Sequence, residues 1–228
     1  MHILLTNDDG VSARGIGILE EVMSVHADKV TVVAPVGQRS AASHSMSINK
    51  DLYCQEIESN YPNVRKFSVN GTPVDCVKTA LEFFLADDMP DLIISGINDG
   101  YNLGSDVLYS GTVSAAMEGP YYQMPAIAVS IGKLTEVRGY ETAGLVAEII
   151  DRVIVGGKFP GILNVNVPGK KGKISIDNVV VVPQAVQIYR NVILQKKDRD
   201  GATCFRVVGD SDMSTAPQFS DIAGIRRG

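Results

Sequence analysis

Cysteine is scarce in this chain, charge never collects into a long run of one sign, and no apolar run is long. Each shortage excludes something. The three cysteines, Cys54, Cys76 and Cys204, are odd in number and widely spaced, and no Cys-x-x-Cys pair occurs. A disulfide framework needs paired cysteines and a thiolate zinc site needs close ones, so free thiols in a reducing compartment are expected instead. Basic pairs such as Lys170-Lys171 and Arg226-Arg227 are too short to track a phosphate backbone, and the formal charge is -5. A nucleic acid duplex is therefore not an expected partner. The apolar runs are too short to span a bilayer, so no membrane is expected. The N-terminus enters an apolar strand with no signal-peptide pattern, which makes the cytoplasm the expected location. Internal repeats and low-complexity linkers are missing as well.

What is there suits a globular α/β protein. With 228 residues, 45% hydrophobic and 21% charged, the chain can bury a sizeable core as one large domain or a domain with an appendage. Its first ten residues organise the rest. His2 to Thr6 reads as a short buried strand that ends at the polar turn Asn7-Asp8-Asp9-Gly10. In an open parallel sheet, ligands bind beyond the carboxyl ends of the strands, where nucleotide folds receive phosphate. Two adjacent carboxylates there would repel a phosphate, by about 1 kcal/mol at ~4 Å in water and more in a cleft. A hard divalent cation, which takes oxygen ligands, removes that conflict. Asp8 and Asp9 are thus candidate metal ligands.

Ile16, Leu19, Val22 and Met23 recur at helical spacing and predict a helix over Gly15 to His26. Lys29 to Ala34 predicts a second strand, completing a βαβ unit. The polar loop Gly37 to Ser47 leaves that strand toward the same crevice. It offers Ser40, Ser43, Ser45, Arg39 and His44, each also readable as an ordinary solvated loop residue. Strands over Ile48 to Ile57 and Arg65 to Val69 suggest a small antiparallel excursion beside the main sheet. Thr72, Pro73 and Asp75 spell a capping box, with Val74, Val77, Leu81 and Phe84 on one apolar face. Asp75 thereby has a structural explanation.

Asp91 to Ser95 predicts another buried strand, followed by the long glycine-rich loop Gly96 to Thr112. Loops of that length in a compact domain tend to be functional or disordered. Asn98 and Asn102 supply neutral oxygens and amides. Ser110-Gly111-Thr112 opens a helix, Val113 to Gly119, whose free amides would make an anion site. Pro125 to Ile131 and Ile162 to Val167 predict core strands. Arg138 to Val155 predicts a helix with Leu145, Ile149, Ile150 and Val153 on its apolar side, stopped by Gly156-Gly157. Lys173 to Val182 reads as strand. Val186 to Lys197 and Thr203 to Val208 read as two arms of a hairpin around Asp198 to Gly201, which needs the main body or another subunit to pack on. Asp210 to Gly228 reads as a polar loop.

Taken together, the expected fold class is α/β: a Rossmann-like, mostly parallel sheet flanked by helices, with a C-terminal β-hairpin extension. The expected organisation is a single domain, 1–228, with its core over 1–183, the hairpin extension over 184–208 and a polar segment over 209–228.

An ordered set of motifs carries a resemblance. ILLTNDDG at Ile3 to Gly10 is followed by Gly15-Ile16, VVAP at Val32 to Pro35, and QRSAASHS at Gln38 to Ser45. GTPVDCV at Gly71 to Val77, SGINDGYNLG at Ser95 to Gly104 and YSGTVSAAMEG at Tyr109 to Gly119 complete the set. The chain resembles the SurE survival-protein family of metal-dependent nucleotidases over most of its length. That resemblance implies a phosphohydrolase acting on nucleoside 5′-monophosphates, often on 3′-nucleotides and in some members on short polyphosphate. It implies one divalent cation per subunit, Mg²⁺ or Mn²⁺, with the family's ligands falling on Asp8, Asp9, Ser40 and Asn98. Only the resemblance singles out that serine and that asparagine. The phosphate-proximal segment falls on Asn102, Ser110, Gly111 and Thr112. The family also forms homodimers or tetramers through C-terminal hairpins, which suits Val186 to Val208. Family chains usually continue past a segment like Ser220 to Gly228 into a further strand; this sequence ends at Gly228, a difference that bears on assembly more than on ligand identity.

The mechanism expected is single-metal phosphomonoester hydrolysis, the cation polarising a phosphoryl oxygen and lowering the pKa of bound water. Asp8 is the candidate catalytic base by position, His44 a weaker one. A phosphatase with a nucleophilic aspartate would carry Asp-x-Asp after the first strand, whereas the acids here are adjacent. A non-catalytic nucleotide-binding or interaction module on the same fold is the other alternative, although the dinucleotide glycine pattern is missing from the first turn.

Overall fold

In the computed structural model, β1 (His2–Thr6) is buried at every residue, as a strand covered on both faces must be. The structure describes residues 1–155, 161–169, 172–186, 188–189, 192–208, 211–212 and 216–227. The expected Gly156-Gly157 helix stop lies outside the described residues, as does the Lys170-Lys171 pair. From β1 the chain passes through α1 (Arg14–His26), β2 (Lys29–Pro35), β3 (Cys54–Ile57), β4 (Val64–Val69), α2 (Pro73–Thr79) and β5 (Leu92–Asp99). Then follow α3 (Gly111–Tyr121), β6 (Ala126–Ile131), α4 (Glu136–Ile149) and β7 (Ile162–Val167).

These seven strands form one sheet in the order β3-β4-β2-β1-β5-β6-β7. All neighbours are parallel except β3, which runs antiparallel to β4 at the edge. The α/β class expected from the sequence is therefore observed. One detail differs: β4 belongs to the main sheet, parallel to β2 with Val30 opposite Val64, and only β3 is an antiparallel addition. That added strand is also shorter than expected, since its ladder with β4 runs only from Cys54 opposite Val69 to Ile57 opposite Lys66.

Two apolar layers fill the space between sheet and helices. Ile3, Leu5, Ile94 and Val129 pack with Ile16, Leu19 and Met23 of α1 and Val146 and Ile149 of α4. On the other face, Leu4, Val33, Ile93 and Ala128 pack with Val77 of α2 and Val113 and Ala116 of α3. Alternate residues of β1 thus point to opposite layers, and truncating any of these leucines to alanine costs about 2–5 kcal/mol. The capping box is formed as read: Thr72 accepts from Asp75 N–H while the Asp75 carboxylate accepts from Thr72 N–H at 2.8 Å.

From β1 the chain builds outward on one side through β2 and β4, then crosses to the other side through β5, β6 and β7. The order reverses between β1 and β5, so the carboxyl ends of those two strands flank the switch point where α/β sheets bind ligands. Asp8 and Asp9 follow β1 directly, and Asn98 lies in the last residues of β5.

Two compact units make up the chain. The first comprises residues 1–102 and 107–179, and the second residues 103–106 and 180–227. Within the second, β9 (Val192–Lys197) and β10 (Thr203–Val208) form the expected hairpin, Thr203 opposite Lys197. β8 (Ile188–Tyr189) pairs antiparallel with β11 (Ser211–Asp212). Ile193, Leu194 and Phe205 of the hairpin are exposed. Two expectations fail here. Lys173 to Val182 is not a strand but a short 3₁₀ turn at Ile176–Asn178 with irregular flanks; Val180 and Val181 are exposed, and β-branched residues favour a strand only where a half-buried surface receives them. The C-terminal segment is not all loop, since α5 (Asp221–Arg227) buries Ile222 and Ala223. Its Asp221 carboxylate accepts from Gly104 N–H at 2.7 Å and Ala185 N–H at 2.9 Å.

Candidate metal and phosphate site

The turn after β1 is shaped by Asn7, whose side chain is buried and bridges the turn. Its amide donates to Gly10 O at 2.9 Å and its oxygen accepts from Gly10 N–H at 3.1 Å. Gly10 has a φ of +106°, and a Cβ there would lie 3.0 Å from the Cα of Gly37, so only glycine fits. This local geometry turns Asp8 and Asp9 to the sheet edge together.

Asp8 is buried and held at the start of α3. Thr112 Oγ1 donates to its Oδ1 at 2.5 Å, and the amides of Gly111 and Thr112 also face the carboxylate. A Cβ on Gly111 would lie 2.8 Å from the Asp8 Cβ, so glycine lets the helix end approach this closely. Burial pushes the Asp8 carboxyl above the usual range, against the pull of these donors. Asp9 is half-buried, and its carboxyl is likewise raised, by burial first and then by the negative charges of Asp8 and Asp99. The Gln38 side chain lies near Asp9 and opposes this rise. Arg39 N–H donates to Asp8 O at 2.7 Å, which ties the second loop to the first and puts Ser40 one residue from that bond. The Asn98 amide nitrogen donates to Gly100 O at 2.9 Å, so its oxygen is the end a cation would take.

The remaining candidates are placed differently. Ser110 caps α3, its Oγ accepting from Val113 N–H at 3.1 Å. Asn102 sits in a buried amide network: its side chain donates to Ser130 Oγ at 2.8 Å, its N–H to Asn166 Oδ1, and its carbonyl accepts from Asn164 and Asn166. The structure thus brings Asp8, Asp9, Gly111 and Thr112 together and sets the Arg39-Ser40 segment beside them. It ties Asn102 to the ends of β6 and β7. Among the described residues, no three His, Cys, Asp or Glu side chains form a metal-holding group. Sequence reasoning missed Gln38 and Asp99 beside Asp9, and Glu118, whose Oε1 lies 2.5 Å from His44 Nε2. No local signal points from His44 to Glu118, which lies 74 residues away in the chain.

The family described as "Survival protein SurE" matches residues 3–191. A protein named 5'-nucleotidase SurE from Heliobacterium modesticaldum is 40% identical over 235 residues, covering 100% of this chain and 83% of its own length. Its namesake from Carboxydothermus hydrogenoformans is 40% identical over 232 residues, covering 100% of this chain and 87% of its own. The crystal structure of the SurE protein from Aquifex aeolicus superposes with a TM-score of 0.83 at 32% identity, covering 100% of this chain and 90% of that one. By sequence and by fold alike, the chain belongs to the SurE survival-protein family.

Proposed function

We propose that the chain is a divalent-metal-dependent phosphomonoester hydrolase that removes phosphate from nucleoside 5′-monophosphates, with 3′-nucleotides and short polyphosphate as further substrates. The observation that carries this reading is the pair Asp8 and Asp9 at the switch point, both raised by burial, with Asp9 also raised by the neighbouring charges. Relatives named 5'-nucleotidase SurE, 40% identical over the whole chain, support the reaction class.

The donor set fits a hard cation. Two carboxylates share one turn, and the charges of Asp8 and Asp99 both act on Asp9, a conflict that a doubly positive ion relieves. Its ligands in this reading are Asp8, Asp9, Ser40 Oγ and Asn98 Oδ1, oxygen donors suited to one Mg²⁺ or Mn²⁺ per subunit. When bound, the ion supplies charge stabilisation at the phosphoryl oxygens and acidifies water. The chain's own groups do the rest. Thr112 Oγ1 and the first amides of α3 orient the Asp8 carboxylate, which by its position is the chain's candidate to accept a proton from the attacking water. The positive end of α3 lowers the cost of negative charge beside Asp8. Ser110 and Thr112 act in this reading by capping the helix and orienting Asp8, with Asn102 bracing the loop from the ends of β6 and β7.

Assembly as a homodimer or tetramer through the β9–β10 hairpin is part of the same reading, supported by the exposed Ile193, Leu194 and Phe205. A cytoplasmic location is supported by three free cysteines. Among the described residues no helix is long and apolar enough to cross a membrane. The test is phosphate release from AMP and other nucleoside monophosphates. EDTA should abolish release and Mn²⁺ or Mg²⁺ should restore it; release unchanged by EDTA refutes the reading.

A further inference from the structure

Of the four proposed ligands, Ser40 has the least regular support. It is exposed, and residues 37–47 contain neither helix nor strand. Two non-glycine residues in this loop, Ala41 and Ser43, have φ of +55° and +52°. Side chains disfavour that conformation, so it persists only where surrounding bonds impose it. Those bonds are present. Ser43 N–H donates to Tyr109 O at 3.1 Å and Ser43 Oγ to Leu108 O at 2.7 Å. His44 Nε2 pairs with Glu118 Oε1 at 2.5 Å. Farther along, Thr72 Oγ1 donates to Ser45 O at 2.7 Å and Ser47 N–H to the Asp75 carboxylate at 2.9 Å. On the other side of Ser40, Arg39 N–H grips Asp8 O.

Glu118 is the informative partner. It is buried on α3, the helix whose first turn holds Asp8. Seven residues separate Gly111 from Glu118, two turns, so both lie on one face about 10 Å apart along the axis. A rigid helix therefore fixes two ligand-bearing segments at once. Thr112 and the Gly111 amide hold Asp8 at one end, and Glu118 anchors the loop carrying Ser40 through His44.

We infer that Glu118 and His44 form a positioning pair that sets the place of Ser40 relative to Asp8 and thereby the affinity of the cation site. The inference rests on the ligand assignment proposed above. Neither residue touches the cation; each acts through Ser40. Groups that orient metal ligands typically change affinity 10–100-fold when removed.

The test is Mn²⁺ titration of the full chain without nucleotide, free Mn²⁺ being read by its paramagnetic resonance signal, with phosphate release and melting temperature followed in parallel. Glu118 is buried, so His44, on a partly exposed loop, is the safer position to vary. His44→Ala should weaken Mn²⁺ binding about 10–100-fold. His44→Gln, whose amide still reaches Glu118, should recover most of it. In a Ser40→Ala background, His44→Ala should add nothing, because the side chain it positions is gone. Wild-type affinity in His44→Ala, or a loss fully additive with that of Ser40→Ala, overturns the positioning pair and leaves the nucleotidase reading standing. A wild-type chain that binds no Mn²⁺ overturns both.

Discussion

Asp9→Asn should stabilise the metal-free protein while abolishing its response to metal. Asp9 is half-buried beside Asp8 and Asp99, whose charges both disfavour its ionised form. Like charges roughly 4–8 Å apart at an effective dielectric near 20 repel by about 2–4 kcal/mol. Solvent screening at a half-exposed side chain reduces this to about 1–2 kcal/mol. For a chain of this size that raises the melting temperature by about 2–8 °C in EDTA at pH 7. The pH dependence has a definite sign. Because the folded-state pKa lies above the unfolded value, folded Asp9 still holds its proton in a window where the unfolded chain has released it. Wild-type stability therefore falls as pH rises through that window, the Asn variant lacks this loss, and the gap between them opens with pH and then stays level. Mn²⁺ at 100 times its Kd adds about 2.7 kcal/mol to a protein that binds it only when folded. Wild type should gain that and the variant should not, so the order of stabilities inverts. Scanning calorimetry of both proteins in EDTA and in Mn²⁺ reads this directly. A variant less stable than wild type in EDTA would refute the idea of an uncompensated charge conflict, and an equal gain from Mn²⁺ would refute the ligand assignment.

Two further outcomes follow from packing and burial. Gly111→Ala places a methyl 2.8 Å from the Asp8 Cβ and 3.0 Å from its Oδ2, so it should lower kcat for phosphate release and weaken Mn²⁺ binding about 10–100-fold, checked by steady-state kinetics and metal titration. His2 is buried, its Nε2 2.9 Å from Thr31 Oγ1 and its Nδ1 without a hydrogen bond among the described residues. Burial, with Lys29 nearby, holds its pKa below the usual 6.5. The unfolded chain then binds the proton first, so stability should fall as pH drops below about 6.5, by at most about 1.4 kcal/mol per pH unit. Urea midpoints at pH 7 and pH 5.5 should show a smaller drop in His2→Gln.

What the sequence disclosed was whatever short-range rules govern. Strand β1, helix α1 and the Thr72–Asp75 capping box are each specified within a few residues, and each formed where read. The turn at Asp8 and Asp9 was legible for the same reason, since Asn7 and Gly10 close it locally. Pairings across long stretches of chain were not legible. Nothing near His44 announces Glu118, 74 residues away, and nothing near Thr112 announces Asp8, 104 residues away. The edge of the sheet was misjudged because β4 looks the same in sequence whether it joins β2 or only β3, and Lys173 to Val182 because composition records propensity without the surface that must receive it. The start of α3 is the instructive case. A helix N-terminus favours negative charge whatever its source, and that rule pointed to a bound phosphate there. In the fold, the amides of Gly111 and Thr112 already face a carboxylate, that of Asp8. The helix end thereby offsets part of the cost of burying an acid there without supplying a counter-charge, which leaves the Asp8 carboxylate free to serve as the cation ligand of the proposed reading.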